Sequence, residues 1–412
     1  MKTKICLLIL LSLFFSCQTQ TKEEPATKYE SQNEALTQKL TKAYERKLIK
    51  GFSVAVIDST GTLFEGGFGF ADLDTTKRYT AQTTQPIASI SKVLIGLSLI
   101  KAEELNLLDL DDPVNKYLPF EVVNPKFPDT AIKIRHLAYH TSSIVDAEEI
   151  YFSQFFLEKD AEREPQAAED YYEFFNKAKD IKPLEDYLQA AFSGEVYESQ
   201  PFADYEPGTQ REYSNIGADL CALIIQNAAK MDFRDFTKKY ILAPLQMENT
   251  GWKSQDMNPA LRSRLFVSDS MMITNYVQGS YPNGSFRASS HALGILLLEL
   301  MNGYNGSGTL LSKEGYAKFY KKARHDDEDF GCFIEYKDEW IRIEDKMIGH
   351  DGSDPGVFTG MFFSPDRQTG KIIISNTDTD YLDDERIWQE ISAIWKALIA
   401  YEKEITKEKS KK

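Results

Sequence analysis

The spacing of apolar and polar positions along the chain predicts strands near both ends and helices between them. Short runs of apolar, β-branched and aromatic residues at 52–58 and 62–69 flank the turn Ser59-Thr60-Gly61 and are typical of paired strands. Similar runs late in the sequence predict further strands at 330–336, 340–343, 357–363 and 371–375. Sheet-forming segments at the two ends of one chain favour a single sheet that both ends build.

Helical patterns occupy much of the remaining chain. The predicted helices lie at 33–48, 89–105, 216–231, 291–302 and 384–403. The first is amphipathic, and the last carries lysines near its end, where the helix dipole favours cations. We therefore expect an α/β fold with an antiparallel sheet from the N- and C-terminal segments, flanked by helices, and an inserted, mostly helical domain.

The first segment of the chain carries an export pattern. Lys2 and Lys4 precede an apolar stretch of about eleven residues, which is typical of a secretory signal and too short to span a bilayer. The run up to Cys17 resembles a bacterial lipoprotein cleavage site, at which the cysteine is acylated, and an ordinary cleavage near Ser16 is the alternative. We expect a lipoprotein signal at 1–17, a flexible tether at 18–31 and the functional domain at 32–412, anchored in a bacterial cell envelope at the outer membrane or facing the periplasm.

Composition limits the classes of function. A hydrophobic content of 42% with 12% aromatic residues is typical of a folded protein. The net charge of −15 argues against nucleic-acid binding, which needs a basic surface. Cys221 and Cys332 are too far apart in sequence to indicate a disulfide scaffold, and Cys221 lies in an apolar helix and is predicted to be core. His136 and His140 stand four apart without the glutamate of a zinc motif, so no metal is expected.

The first candidate for chemistry is the pair Ser89 and Lys92. Three residues along a helix is just under one turn, so the hydroxyl and the amine share a face. A serine needs a base to become a nucleophile, and a desolvated lysine can serve as one. A helix cap followed by a solvated lysine is the alternative for the isolated pair.

Two later segments carry further candidate groups. Tyr213 and Asn215 place a phenol and an amide two residues apart after the turn at 207–208, and the segment 349–356 is rich in glycine. Taken singly, these residues could be a half-buried core tyrosine, a helix cap and a turn between strands.

Together, in this order and spacing, these segments resemble the serine β-lactamase and penicillin-binding protein family, in its branch of class C β-lactamases, D,D-peptidases and esterases. The resemblance covers most of 50–380, and it also includes the segments 51–56, 110–119, 134–142 and 282–289. It implies a β-lactamase/transpeptidase-like fold, a covalent acyl-enzyme and no cofactor.

The resemblance also implies a role for each matching residue. Ser89 would attack a carbonyl carbon, and Lys92 would accept its proton, for which the pKa of the lysine must fall from near 10.4 to about 7. Tyr213 would relay a proton to the leaving group and help to activate the deacylating water. Asn215 would hydrogen-bond the substrate and Lys92, and the backbone N–H groups of Ser89 and Ser353 would hold the oxyanion. The matches of His136 and His140 are structural positions, and neither is expected to be catalytic.

The segment His350-Asp351-Gly352 departs from the family's pattern, because many β-lactamases have Lys-Thr-Gly there. A lysine is charged at pH 7 and suits a substrate carboxylate, whereas an unperturbed histidine, with a pKa near 6.5, is mostly neutral. Asp351 is expected to face away from His350, since neighbouring side chains of a strand point to opposite faces. His350, Gly352 and Ser353 are still expected to contact substrate.

Negative charge is concentrated at 145–206, a segment called the insertion below, with seventeen acidic and five basic residues. Its aromatic residues include Tyr151, Phe152, Phe155, Phe156, Tyr171, Tyr172, Phe174 and Phe175. Two interpretations are open: packed helices with a solvated acidic face, or a lid over the active-site mouth that disfavours anionic substrates.

The sequence therefore predicts a serine hydrolase that acts through a covalent acyl-enzyme on an amide or ester. A D-amino-acid peptide or an ester is favoured over a β-lactam. The alternatives are a true β-lactamase and, from another class, a catalytically silent binding lipoprotein on the same fold. The expected partners are a small-molecule, peptide or ester substrate and a membrane contacted through the lipid at Cys17.

Overall fold

A computed structural model describes residues 29–158, 175–197, 200–325, 328–379 and 384–410. The signal segment with Cys17 lies outside the described residues, as do Tyr171, Tyr172 and Phe174 of the insertion.

The central element is one antiparallel sheet of eight strands. The strands are β1 (Gly51–Asp58), β2 (Gly61–Gly69), β3 (Ala323–His325), β4 (Glu328–Gly331), β5 (Ile334–Trp340), β6 (Ile343–Asp354), β7 (Val357–Ser364) and β8 (Thr369–Ser375). Their order across the sheet is β2-β1-β8-β7-β6-β5-β4-β3. Strand β1, from the N-terminal part, pairs with β8, from the C-terminal part, with Val54 opposite Ile373. The prediction of an antiparallel sheet built from both ends of the chain is confirmed.

Both faces of the sheet are buried, and the strands divide their side chains between two cores. In β1, Val54 and Val56 belong to one apolar cluster, and Ala55 and Ile57 belong to the other. Successive side chains of a strand point to opposite faces, so a nearly continuous apolar run is what two covered faces require.

Helices from the two ends of the chain cover one face, and central helices cover the other. The longer helices are α1 (Glu30–Glu45), α2 (Ser91–Glu104), α3 (Asn215–Ala229), α4 (Ser290–Tyr304) and α5 (Glu385–Lys409). Shorter helices occupy Ile134–Ala138, Glu148–Phe152, Leu184–Ser193, Phe233–Thr237 and Lys313–Phe319. Helices α1 and α5 pack against each other over the first face, and α4 packs on β1 and β8 from the second.

Helix α2 is apolar all round, and its residues 91–100 are buried. It lies inside the core on the face of the sheet that α4 covers, in contact with α3. A helix without a polar face must be surrounded by protein. This position brings the residues at its N-terminus to the interior of the molecule.

Two late strands were predicted with wrong boundaries. The predicted strand at 330–336 is a hairpin of β4 and β5, because Phe333 adopts a left-handed conformation with φ of 50° and turns the chain. The predicted strand at 340–343 is the turn between β5 and β6, where Ile341 and Arg342 have φ of 47° and 60°. Phe333 is buried, and Ile341 is half-buried between the apolar residues Trp340 and Ile343, so both turns carry the apolar pattern of strands.

The glycine-rich segment 349–356 is not a turn over its whole length. Most of it lies inside β6, and the chain turns only after Asp354. Cys221 is buried in α3, which confirms that prediction.

The described part of the insertion is packed. Phe155 and Phe175 are buried in a cluster that also contains Ala88, next to Ser89, and Val357. Phe152 is 40% exposed. Among the described residues, no helix is long and apolar enough to cross a membrane.

Candidate active site

Ser89 lies in a short 3-10 turn, Ala88–Ile90, that leads directly into α2. Ala88 is fully buried and has a φ of 47°, a left-handed conformation that is uncommon for a residue other than glycine. The turn places the Ser89 side chain in a small cleft rather than along the helix surface.

Lys92 is completely buried beside Ser89. Its Nζ donates to Ser89 Oγ at 3.0 Å and to the carbonyl oxygen of Asn283 at 2.8 Å. Burial lowers the pKa of Lys92 to about 8, although Asp219 and Asp146 oppose this by raising it. A lysine with this pKa is partly unprotonated near neutral pH, so the amine can accept a proton from the serine.

Strand β6 passes unusually close to the Ser89 backbone at Gly352. A Cβ at that position would lie 2.5 Å from the backbone nitrogen of Ser89. Only glycine allows this approach, which brings Ser353, the next residue of β6, to the same cleft. Ser353 is exposed.

Tyr213 lies over Lys92, with the Lys92 Nζ 5.0 Å from the centre of the phenol ring. Burial raises the pKa of Tyr213 well above its usual value, although the nearby Ser89 hydroxyl lowers it. His140 stacks on the Tyr213 ring, with the ring centres 4.6 Å apart, and its Nδ1 accepts a hydrogen bond from the backbone nitrogen of Ser214. His140 thus supports the position of Tyr213, and burial lowers its own pKa well below the usual value.

Asn215 begins α3, and its contacts differ from those that the resemblance implied. Its Nδ2 donates to Asp146 at 2.8 Å, and its backbone nitrogen donates to the same carboxylate at 2.9 Å. Asp146 also accepts from the backbone nitrogen of Ile216 at 3.0 Å, so it caps the helix at the end where anions are favoured. Among the described residues, no hydrogen bond joins Asn215 to Lys92.

His350 is buried in the middle of β6, and its side chain contributes to the same cleft. Burial lowers the pKa of His350, although Glu335 and Asp351 oppose this by raising it. The ring is therefore neutral at pH 7. Its Nδ1 lies 2.5 Å from the carbonyl oxygen of Asp351, which turns the ring along the strand.

The expectation that Asp351 faces away from His350 is wrong. A carboxylate oxygen of Asp351, a ring nitrogen of His350 and a carboxylate oxygen of Glu335 all lie within 4.8 Å of one another. The alternation of side chains is overridden because the imidazole lies along the strand, towards its neighbour. Lys337 pairs with both acids, at 3.0 Å from Glu335 and 3.5 Å from Asp351, and Arg211 lies 3.9 Å from Glu335, so two cations balance the charge of the two acids.

A cleft of about 240 Å³ lies between these elements. It is lined by Ser89, Tyr213, Glu335, residues 350–353, Phe358 and Trp388. The structure brings together Ser89, Lys92, Tyr213, His350, Gly352 and Ser353, with Asn215 at the start of the adjoining helix. The side chains of Ser89, Lys92 and Tyr213 supply a hydroxyl, a buried amine and a phenol, which can serve as nucleophile, base and proton donor in acyl transfer.

Sequence reasoning missed four polar residues around Lys92: Asp146, Asp219, Asn283 and Glu335. One signal was present for Asp219, because it is the single charged residue inside the apolar run of α3. Asp146 and Glu335 carry no comparable signal in a chain with 63 acidic residues.

The β-lactamase family model matches residues 36–394 of the chain. Penicillin-binding protein 4* of Bacillus subtilis is 24% identical over 348 residues, which are 80% of this chain and 68% of that protein. Protein flp of Staphylococcus aureus is 27% identical over 205 residues, or 50% of this chain, and the match spans only 35% of flp.

Solved structures share the fold at low sequence identity. D-amino acid amidase from Ochrobactrum anthropi superposes with a TM-score of 0.66 at 17% identity, over 90% of this chain and 99% of the amidase. The octameric penicillin-binding protein homologue from Pyrococcus abyssi gives a TM-score of 0.65 at 20% identity, over 84% of this chain and 73% of the homologue. With the family match covering most of the chain, these findings show that the protein belongs to the β-lactamase family, whose members are typically serine hydrolases.

Proposed function

We propose that the protein is a serine hydrolase that cleaves an amide or ester through an acyl-enzyme on Ser89. The observation that carries the proposal is the hydrogen bond of 3.0 Å between Lys92 Nζ and Ser89 Oγ at a buried lysine. A lysine with a pKa of about 8 is a competent base near neutral pH, whereas a solvated lysine is not.

In the first half of the reaction, Ser89 Oγ attacks the substrate carbonyl carbon while its proton moves to Lys92 Nζ. The tetrahedral oxyanion accepts hydrogen bonds from the backbone N–H groups of Ser89 and Ser353, which Gly352 allows to approach each other. The bond to the leaving amine or alcohol then breaks, and Tyr213 passes its proton to that group and takes up the proton that Lys92 holds, so Lys92 is unprotonated again. The acyl group remains on Ser89.

In the second half, water attacks the acyl carbonyl carbon and transfers a proton towards Tyr213 and Lys92. The ester bond to Ser89 breaks, its oxygen regains a proton, and the carboxylic acid product leaves. The raised pKa of Tyr213 suits a relay, because the phenol stays protonated and gives up its proton only as it takes another one.

The substrate class that we propose is a D-amino-acid peptide or an ester, in preference to a β-lactam. The supporting feature is His350, which burial keeps neutral where many β-lactamases have a lysine. The name of one structural neighbour, a D-amino acid amidase, agrees with this class.

A fluorophosphonate probe tests the reaction type. We expect it to label the protein covalently at Ser89, as located by peptide mass spectrometry, and we expect no labelling of Ser89→Ala. Lys92→Met should reduce the labelling rate by at least about 100-fold, since general-base help is worth about 10²–10⁴. Ser98→Ala, at a fully buried serine further along helix α2, is the matched control and should label like the wild type. A wild-type protein without a Ser89 adduct would favour a catalytically silent binding protein instead.

A substrate panel tests the class. The panel contains short acyl esters, peptides that end in D-alanine and a chromogenic cephalosporin. We expect turnover of an ester or a D-peptide to exceed that of the cephalosporin. Rapid cephalosporin turnover would overturn the preference and leave a β-lactamase.

We also propose that the chain is exported and anchored in the bacterial envelope through a lipid on Cys17. The support is the pattern of basic and apolar residues before that cysteine. In cells fed a radioactive fatty acid, the protein should acquire label and fractionate with membranes, whereas Cys17→Ser should do neither. A wild-type protein that remains unlabelled would contradict the proposal.

A further inference from the structure

A buried carboxylate, Asp219, lies behind Lys92 and has no role in the mechanism above. It belongs to the second turn of α3, among apolar neighbours, and is 1% exposed. Its Oδ1 accepts a hydrogen bond from the backbone nitrogen of Asn283 at 2.9 Å, and its Oδ2 accepts one from Asn283 Nδ2 at 2.7 Å. A carboxylate that binds both donors of one residue fixes the position and the orientation of that residue.

Asn283 in turn holds the amine of Lys92. Its carbonyl oxygen accepts a hydrogen bond from Lys92 Nζ at 2.8 Å, on the same nitrogen that lies 3.0 Å from Ser89 Oγ. Asn283 Nδ2 also donates to Gln154 Oε1 and to the carbonyl oxygen of Ser280, both at 3.0 Å. These bonds prevent a rotation of the Asn283 side-chain amide that would exchange its oxygen and nitrogen. The group that faces Asn283 Nδ2 from position 219 must therefore be a hydrogen-bond acceptor.

We propose that Asp219 is a positioning residue for the base, on the condition that the proposed serine hydrolysis is correct. By holding Asn283 in place, Asp219 orients the Lys92 amine towards Ser89 Oγ. The charge of Asp219 also shifts the balance between the protonated and unprotonated forms of that amine. Asp219 touches neither the serine nor the cleft and acts only through Asn283 and its electric field.

The charge of Asp219 acts on Lys92 together with groups from every surrounding element. The ionisable groups that face the amine are Asp219 on α3, Asp146 before α3, Asp354 and His350 on β6, Glu335 on β5, and His140 and Tyr213. Burial lowers the pKa of Lys92, and Asp219 is the strongest of the acids that raise it. Burial also raises the pKa of Asp219 itself to about 8, although the hydrogen bonds from Asn283 and the charge of Lys92 lower it, so the two groups titrate together. Removing the charge of Asp219 therefore lowers the pKa of Lys92 further.

The test uses the full chain and the rate of fluorophosphonate labelling at Ser89 as a function of pH. Asp219→Asn keeps an oxygen for the backbone nitrogen of Asn283 but sets an NH₂ group against Asn283 Nδ2. Asp219→Ala removes both acceptors. We expect the maximal labelling rate to fall by about tenfold in the first variant and about 100-fold in the second, within the range of a lost general base. The acid limb of the profile is the range in which the labelling rate rises as Lys92 loses its proton. We expect this limb to move to lower pH in both variants, since the amine loses its proton more readily.

Glu299→Gln is the matched control. Glu299 is also a buried helical carboxylate, 5% exposed, and it accepts from the backbone nitrogen of Leu310 at 2.7 Å, but it does not act on Lys92. We expect this variant to lose stability in urea unfolding while its labelling profile keeps the wild-type pH dependence. A purely structural Asp219 would behave in the same way.

The outcomes separate the two proposals. If wild-type Ser89 is not labelled, the proposed function fails and this inference fails with it. If the wild type is labelled and Asp219→Asn shows the wild-type rate and acid limb, only this inference is overturned. Should Asp219→Ala not fold, Asp219→Asn decides, and Asp219→Glu, which restores the charge, should move the acid limb back towards that of the wild type.

Discussion

Replacing Gly352 with alanine should disturb both the stability and the reactivity of the protein. The new Cβ would lie 2.5 Å from the backbone nitrogen of Ser89, 2.9 Å from Ala88 Cβ and 3.1 Å from the carbonyl oxygen of Ile87. Thr359 Oγ1 binds the carbonyl oxygens of both Ile87 and Gly352, at 2.9 Å and 3.2 Å, and ties β6 to the turn. Neither backbone segment can therefore move away alone.

The size of the effect follows from these distances. Ordinary van der Waals contact begins at 3.4 Å, so the strand and the turn must separate by about 0.9 Å at the closest contact. Forcing an extra methyl group into a packed contact costs about 1–3 kcal/mol of the free energy of unfolding. A displacement of about 1 Å between reacting groups lowers a rate by about 100-fold. We expect losses of these sizes in stability and in fluorophosphonate labelling of Ser89.

Urea unfolding and the labelling rate measure the two effects. Gly294→Ala is the matched control, because its new Cβ would find its nearest neighbour, Ile57 Cγ2, at 3.8 Å. Gly294 lies inside α4, where alanine is favoured over glycine by about 1 kcal/mol, so this variant should be as stable as the wild type or more so. A Gly352→Ala protein with unchanged stability and unchanged labelling would refute the reasoning about the close approach.

Three further predictions concern the base, the helix cap and a buried ion pair. The rate of Ser89 labelling should rise with pH through about 8, because only the unprotonated form of Lys92 accepts the serine proton, and a profile that is flat through this range would contradict that role. Asp146→Ala should lower the free energy of unfolding by about 1–2 kcal/mol in urea titrations, since the N–H groups of Asn215 and Ile216 lose their acceptor. Lys371→Met should lower it by about 3 kcal/mol, the lower end of the range for a broken buried pair, since Lys371 and Glu402 are fully buried at 2.8 Å and the carboxylate would keep only the more distant Arg367, at 3.6 Å, among the described cations. Breaking the exposed pair of Arg342 and Glu385 by Arg342→Met should change it by less than about 1 kcal/mol, and equal losses in the two variants would contradict this difference in burial.

The sequence by itself determined the fold class, the sheet built from both ends, and the order of the segments that carry Ser89, Lys92, Tyr213 and His350. Strand alternation and helical periodicity are local properties, so they could be read along the chain. The hairpin at Phe333 could not, because this turn residue is buried and as apolar as a strand residue. The turn at 341–342 could not either, because Ile341 continues the apolar pattern of the strands on both sides of it.

Only the tertiary structure decided how polar groups far apart in the sequence meet. It placed Asp219 and Asn283 behind Lys92, gave Asn215 the partner Asp146, and turned His350 towards Asp351 and Glu335. Such contacts depend on the packing of α2, α3 and β6, which local periodicity does not encode. The pKa of Lys92 follows from them, because burial lowers it and the distances to the surrounding carboxylates set how far.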